Sequence, residues 1–573
     1  MLDAAPHRGK RLSFHQLGCC VLATSSTEDE GESGLAVVGD LAVVYTGVVD
    51  NLPELAAELR PAGLRDDEDA GKLLIAGFRV FGEDLAGKLR GVFAVLLTDG
   101  HRLIGFHDQM GFRSLFYRLD GNGIYAASEA KQVVAGSRIP KEPDLEAVER
   151  IFFDADDDQH STALRGVLRL PKASLFMSDG TRLRSRTYWD PNRLLEQARL
   201  SDNELHDRFD QLMTQAVART LTGRDVVSLS GGIDSPAVAA FAASEHRRLT
   251  GRPIPAISIV YPGYPSADER RYVELICAYL QIPLHTYEQS ARPLDDLTGW
   301  ARLLDGPATL LSIPECAEHY RHIHDLGFRT ILTGHHAEAV FDERAYLLAY
   351  LLARGNFSVL WRHLKGQRSM GRSYRAIGRQ LAGPFVPRRL ARTYRRLKPM
   401  DRVAGVPQWL DARKLRGPVT RFDATVRKRW AGEQLSTWTR PEMWLEADEI
   451  CQARCGVIVR RPWADVDLWE FFLSLPAAVK FGDVQRKGLV RRLLYGKLPS
   501  EVLERTDKTV FDEVGMAQLD YVGLRHWLST PRHRLSGVNY RILAEHLQRE
   551  DLRLADLRWV TDLASVQAFL AQW

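Results

Sequence analysis

Apolar residues recur along this chain in two rhythms, and the change from one to the other divides it. Between residues 41 and 135 short apolar runs alternate with turns. The pattern predicts strands at 41–45, 92–98, 103–107, 115–118 and 124–126, and helices at 52–59 and 70–80. Strands and helices grouped in this way mark an α+β layer arrangement. A turn-rich passage through 165–186 closes at Tyr188-Trp189-Asp190 and predicts a domain boundary near residue 195. Beyond it strands at 226–229, 255–260 and 330–332 alternate with helices at 236–245 and 268–280. That alternation predicts a parallel sheet carrying a ligand at the carboxyl ends of its strands. After residue 340 the pattern is mainly helical, with no internal repeat.

The first of these strand-to-helix turns reads Ser230-Gly231-Gly232-Ile233-Asp234-Ser235. Two glycines let the backbone turn sharply, so that N–H groups and the positive end of the helix dipole face one spot, an arrangement suited to a phosphate. Ser230 and Ser235 add hydroxyl donors, and Asp234 is a candidate ligand for Mg²⁺ arriving on ATP. The spacing lacks the Gly-Lys-Ser/Thr ending of the Walker loop and resembles the PP-loop of enzymes that split ATP between its α and β phosphates. A Gly-Gly turn capping an ordinary βα unit is the plainer alternative.

At 573 residues the chain is long enough for two or more domains. The longest apolar run, near 345–353, is too short to span a bilayer. Six cysteines in such a length do not make a disulfide framework, so a reducing cytoplasm is expected. Cys451 and Cys455, four apart with no second Cys/His pair nearby, read as incidental rather than as a zinc site. Net charge is only +4, yet residues 354–400 hold thirteen Lys or Arg and no Asp or Glu. Arg372, Arg375, Arg379, Arg388, Arg389, Arg392, Arg395 and Arg396 belong to this run, which Pro384 and Pro387 interrupt. It reads either as a solvated helical face or as a docking surface for an anionic partner. Among such partners nucleic acid is not expected, and membrane contact through 354–400 is disfavoured.

Taken together, these landmarks resemble the asparagine synthetase B superfamily. Residues 47–51 with Glu54-Leu55, 89–94, Asp108-Gln109-Met110-Gly111 with Arg113, 127–131 and 166–171 follow the order of the family's glutaminase half. Residues 230–235, Asp268-Glu269, Asp305-Gly306-Pro307, Thr333-Gly334, 460–465, 487–491 and Lys508 follow that of its synthetase half. The resemblance implies an amino-terminal Ntn-glutaminase-like α+β domain over 1–195. It implies an α/β PP-loop, adenine nucleotide α-hydrolase-like synthetase domain with many helices over 196–573, using ATP and Mg²⁺.

One departure changes the expected chemistry. Glutaminases of this type carry a cysteine directly after the initiator Met, whose thiol attacks glutamine; here that place is Leu2, and Cys19 and Cys20 lie too far along. No ammonia is then expected, and the activated carboxylate must meet another amine. Relatives without the cysteine resemble β-lactam synthetases and lasso-peptide cyclases, which close a ring within one molecule and gain effective molarity by doing so. The chain's length and its basic insertion favour the cyclase. That reading implies a precursor core peptide as partner, with a leader peptidase and a leader-recognition protein as further candidates. A β-lactam or carbapenam-type amide synthetase and an inactive scaffold are the alternatives.

The resemblance also implies roles. Asp234 and Glu338 would hold the metal. Val227, Leu229, Ile259, Val260 and Gly334, together with Ser230, Gly231, Gly232 and Ser235, would line the nucleotide slot. Lys487 would stabilise charge building on oxygen, with Arg491 and Lys508 neutralising pyrophosphate. His335, or its neighbour His336, falls where a β-lactam synthetase carries its catalytic tyrosine and would accept the amine's proton. Glu449, or Glu446 one turn earlier, would orient that base.

Overall fold

The computed structural model describes residues 1–573 apart from 28–32, 63–68, 154–157, 309–312, 342–345, 370, 383–384, 386–405, 412–413, 416–425, 436–437, 439–442, 508 and 510. Lys508, Pro384, Pro387, Arg388, Arg389, Arg392, Arg395 and Arg396 therefore lie outside the described residues.

In the amino-terminal half a hairpin of β1 (Arg11–Leu17) and β2 (Cys20–Ser26) precedes two sheets. The larger joins β3 (Ser33–Val38), β4 (Leu41–Val49), β5 (Gly91–Thr98), β6 (Leu103–His107), β10 (Ser174–Ser178) and β11 (Leu183–Thr187), in the order β11-β10-β6-β5-β4-β3. Its neighbours are all antiparallel. The smaller holds β7 (Phe116–Asp120), β8 (Gly123–Ala127) and β9 (Leu168–Arg169). Helices Leu52–Leu59 and Ala70–Phe81 lay Leu55, Leu59, Leu73 and Leu74 on one face of the large sheet, against Val43, Phe93 and Val95. Its other face meets the smaller sheet through Val44, Phe176, Leu115 and Tyr117. Both faces being covered explains why β4 to β6 read as nearly continuous apolar runs.

The second half is built on a parallel sheet of β12 (Asp225–Ser228), β13 (Ala256–Val260), β14 (Leu284–Glu288), β15 (Thr330–Leu332) and β16 (Ile458–Arg460). The strands lie in the order β14-β13-β12-β15-β16. The chain winds outward one way from β12 and then returns to its other side, so the carboxyl end of β12 is a switch point where a crevice opens. The alanine-rich helix Asp234–Thr250 leaves this point, and it stops where Gly251 turns left-handed and caps Arg247. Among the described residues, no helix is long and apolar enough to cross a membrane.

The predicted strands and helices of both halves form, with ends displaced by a few residues: some lengthen, as at Asp234–Thr250, and others shorten, as at Arg270–Leu280 and Ala256–Val260. Others went unread. The β1–β2 hairpin is exposed on most of its length, so no apolar rhythm marks it. The polar sequence of edge strand β14 hides it in the same way, and β16 has only three residues.

A shared core and a set of ion pairs join the halves. Val92, Met110 and Phe112 pack in one cluster with Leu229, Trp463 and Leu468. Asp50 accepts both hydrogen bonds from Arg460 at 2.5 Å, and Arg90 donates to Asp467 at 2.8 Å.

Candidate active site

The crevice at the carboxyl end of β12 is a cavity of about 390 Å³. Leu229, Ser230, Asp234, Ser235, Ile259, Gly334, His335 and Glu338, all anticipated from sequence, line it. Val227 does not: it is fully buried between Ala256 and Leu332, because the second residue from a central strand's end belongs to the sheet core. Gly231 and Gly232 form the loop without lining the cavity.

The loop is held from several sides. Trp463 donates from Nε1 to the carbonyl of Asp234 at 2.9 Å. Gly334 lies so close that a Cβ there would stand 2.3 Å from the nitrogen of Ser235, so only glycine permits the approach. Two of the N–H groups expected to face a phosphate are engaged within the protein: Ser230 donates to Ser235 Oγ at 2.9 Å and Gly231 to Glu269 Oε2 at 2.9 Å. The other oxygen of Glu269 accepts from Arg505 at 2.9 Å and from Thr509 at 2.6 Å. The cavity's anion donors are therefore chiefly the serine hydroxyls and the neighbouring cations.

Lys487 is the nearest cation. Its Nζ is 2.5 Å from Asp234 Oδ2, and its side chain is almost wholly buried. Its backbone is left-handed, at φ +57°, a strained state for a residue with a Cβ. Arg491, one turn further along, donates at 2.6 Å to the carbonyl of Leu503; burial lowers its pKa while Asp234 opposes the shift.

Asp234 and Glu338 put two carboxylates on one cavity, and among the described residues no group of three His, Cys, Asp or Glu could hold a metal alone. That donor set fits Mg²⁺, which binds through one or two carboxylates and completes its shell with phosphate oxygens and water.

His335 lines the cavity, with Trp444 edge-on to its ring at 6.0 Å. Desolvation, and after it the charge of Arg461, push its pKa down to about 4. His336 is instead buried, edge-on to Phe112 at 5.1 Å and beside Trp444 at 5.6 Å. The buried Arg461 guanidinium lies over both of these rings and pairs with Asp448, which also accepts from Gln452 at 2.7 Å and from the Tyr320 hydroxyl.

Arg461 and Asp448 are among the charges that act on His335, and Glu449 is not. Glu449 points at the amino-terminal half, where it accepts from Arg8 at 3.0 Å and from the backbone N–H of Ser114 at 2.8 Å. Glu446 also points there, paired with Arg169. The expectation that these two glutamates share a helix face holds, but that face makes the domain contact. One residue turns about 100° around a helix, which separates Asp448 from Glu449.

Sequence reasoning missed other lining residues. Tyr261 follows β13 and meets Phe511 with ring centroids 5.6 Å apart; nothing local marks Phe511, 250 residues further on. Ser228 faces the cavity and hydrogen-bonds His319 Nε2 at 3.0 Å, while the Tyr287 hydroxyl meets Nδ1 at 2.8 Å. Burial pushes the His319 pKa down to about 4.

A second cavity, about 510 Å³, opens in the amino-terminal half against the helix 443–455 region. Met1, Leu2, Thr46, Arg113 and Ser128 are among its lining residues, and no cysteine is. Cys19 is exposed on the hairpin, donating to the carbonyl of Gly100 at 3.2 Å. Cys451 and Cys455 are buried as free thiols.

An Ntn-glutaminase-like layer joined to a parallel-sheet synthetase domain defines a two-domain amide-forming class. The model of the asparagine synthase family matches residues 208–572, and that of the glutamine amidotransferase domain matches residues 11–189. The chain belongs to the asparagine synthase family. It is 24% identical to asparagine synthetase [glutamine-hydrolyzing] 3 of Bacillus subtilis, over 87% of this chain and 80% of that one. It is 26% identical to a putative asparagine synthetase [glutamine-hydrolyzing] of Mycobacterium bovis, over 85% and 75%. A solved glutamine phosphoribosylpyrophosphate amidotransferase from Bacillus subtilis matches 51% of this chain and 78% of its own at 13% identity, with a TM-score of 0.24, too slight a likeness to bear on this chain.

Proposed function

We propose that this protein forms a macrolactam in a lasso-peptide precursor: it adenylates an Asp or Glu side-chain carboxylate and joins it to the peptide's own amino-terminal amine, releasing AMP and pyrophosphate. The observation that carries this reading is the pairing of the Asp234–Lys487 cavity with an amino-terminal cavity whose described lining holds no cysteine. Without a thiol to release ammonia from glutamine, the amine has to come with the substrate.

ATP supplies an electrophilic α-phosphorus with pyrophosphate as leaving group, and Mg²⁺ on its phosphates offsets their charge. Leu229 and Ile259 give the cavity its apolar wall, Ser230 and Ser235 offer hydroxyl donors, and Asp234 and Glu338 would hold the metal. In the first step a substrate carboxylate oxygen bonds to the α-phosphorus as the bridge to pyrophosphate breaks. In the second the amine nitrogen bonds to the acyl carbon as the carbon–oxygen bond to AMP breaks, and the ammonium loses a proton. Lys487 provides a fixed cation where both steps build charge on oxygen. His335, neutral above its depressed pKa, takes the proton, with Trp444 edge-on to its ring and Arg461 and Asp448 acting on its charge.

The test is incubation with Mg·ATP and a core peptide bearing a free amino-terminal glycine and an internal Asp or Glu, with AMP and product mass measured together. AMP in step with loss of one water from the peptide is the expected result. AMP formed only with a β-amino acid would replace this reading with small-molecule lactam synthesis, and no AMP with any substrate would replace it with a scaffold.

A further inference from the structure

Helices Leu347–Ala353, Phe357–Ser369 and Tyr374–Ala382 pack on one another through Leu348, Leu351, Leu360 and Ile377. Their other face is unusual in composition. Three aromatic side chains stand in solvent there: Phe357 at 65%, Trp361 at 69% and Tyr374 at 75% exposure, the last with the Arg368 guanidinium 3.8 Å over its ring. Arg354, Arg362, Lys365, Arg368, Arg372, Arg375 and Arg379, all exposed, lie among them, and residues 346–385 contain no Asp or Glu. Acids on neighbouring elements are engaged on the packed side: Glu196 accepts from the Tyr350 hydroxyl at 2.6 Å and from Trp430 at 3.2 Å, and Glu433 from the backbone of Tyr346 at 3.1 Å.

An acidic polypeptide would satisfy the cations and leave the aromatic rings in water. Phe357 and Trp361 sit one helical turn apart, both outward, with Lys365 and Arg368 continuing the stripe. Rings that settle at headgroup depth, ringed by Arg and Lys that meet lipid phosphates, are what an anionic bilayer surface accepts. We propose that this face docks reversibly on an anionic lipid membrane, holding the protein there irrespective of the reaction it carries out. The charge run alone is equally consistent with an acidic partner; the exposed rings decide for lipid.

The test is co-sedimentation of the full chain with phosphatidylcholine vesicles, with and without phosphatidylglycerol. The protein is expected to bind only the anionic vesicles, and to be released at about 1 M salt as surface charges are screened. Each basic side chain at such a surface strengthens partition about fivefold, so Arg362→Gln/Lys365→Gln/Arg368→Gln should weaken binding about 100-fold. Phe357→Ala/Trp361→Ala should weaken it about 100-fold with the charge dependence kept, since each ring contributes its buried apolar area. All five positions are exposed, and an unchanged melting temperature would verify folding. The salt dependence of the unaltered protein tests the idea without any variant. Equal partition onto neutral and anionic vesicles, or capture by polyglutamate with no vesicle binding, would overturn it.

Discussion

The two cavities of this protein occupy equally well-built domains and differ in what their walls can do. The amino-terminal one keeps its layered fold, its buried Glu129 and its basic neighbours, yet its described lining offers no thiol. The synthetase one brings carboxylates, a histidine and serine hydroxyls within one crevice, with a lysine paired to one of those carboxylates. Packing preserves a domain by its apolar volume, whereas activity depends on a few polar side chains that contribute little to that packing. A domain's shape is therefore set apart from its chemistry. Here the amino-terminal shape has a use beyond its own cavity: Arg8 reaches both Glu129 and Glu449, so the amino-terminal half clamps the helix that carries Asp448. Although burial alone would raise the pKa of Glu129, Arg8, His7 and Lys131 hold it well below the usual carboxylate range.

The sharpest way to test this contrast is to remove, for each cavity, the charged partner of a lining residue: Lys487, which pairs with Asp234, and Glu449, which pairs with Arg8 and Arg113. Lys487→Ala should lower AMP formation by about 100-fold or more while the protein stays folded, because one fixed donor to developing charge is lost; a rate within a few-fold of the original would break the assignment. Glu449→Gln should act on the clamp instead. Arg8 and Arg113 would be left facing a neutral amide in a buried contact, at a cost of about 3 kcal/mol in unfolding free energy. Its turnover per folded molecule should change little, which a catalytic Glu449 would not allow.

A smaller effect is expected from the buried His319. Its ordinary pKa is 6.5 and its folded value about 4. Between these values the unfolded chain binds a proton that the folded one refuses, so stability falls as pH drops from 6.5 toward 4, by about 3 kcal/mol at the lower end. Denaturant melts of His319→Gln should show a shallower decline over that window than the unaltered protein. The smallest effect is predicted for Leu2→Cys, which should leave both amide formation and glutamine hydrolysis unchanged. Ammonia released from glutamine by that variant would show that one side chain separates the two cavities.

Much of this was legible in the chain. The strand–Ser-Gly-Gly-x-Asp-Ser–helix pattern located the cavity, because a buried parallel strand and a glycine turn are both written in consecutive residues. Glu449 was misread for a reason equally local: spacing along a helix tells which residues share a face, not which neighbour that face meets. Tyr261 could be placed by its position after β13, but Phe511, Arg505 and Thr509 reach the site from far along the chain without any motif.

The sequence by itself determined the two-domain order, the element types, the loop that shapes the crevice and the concentration of positive charge over residues 354–400. Those properties depend on local periodicity, backbone freedom and composition. Only the tertiary structure decided that Lys487 meets Asp234, that the charges of Arg461 and Asp448 rather than Glu449 act on His335, and that Val227 is core. Each of these is a meeting between distant segments, fixed by the packing of whole elements, and no window of consecutive residues contains both partners.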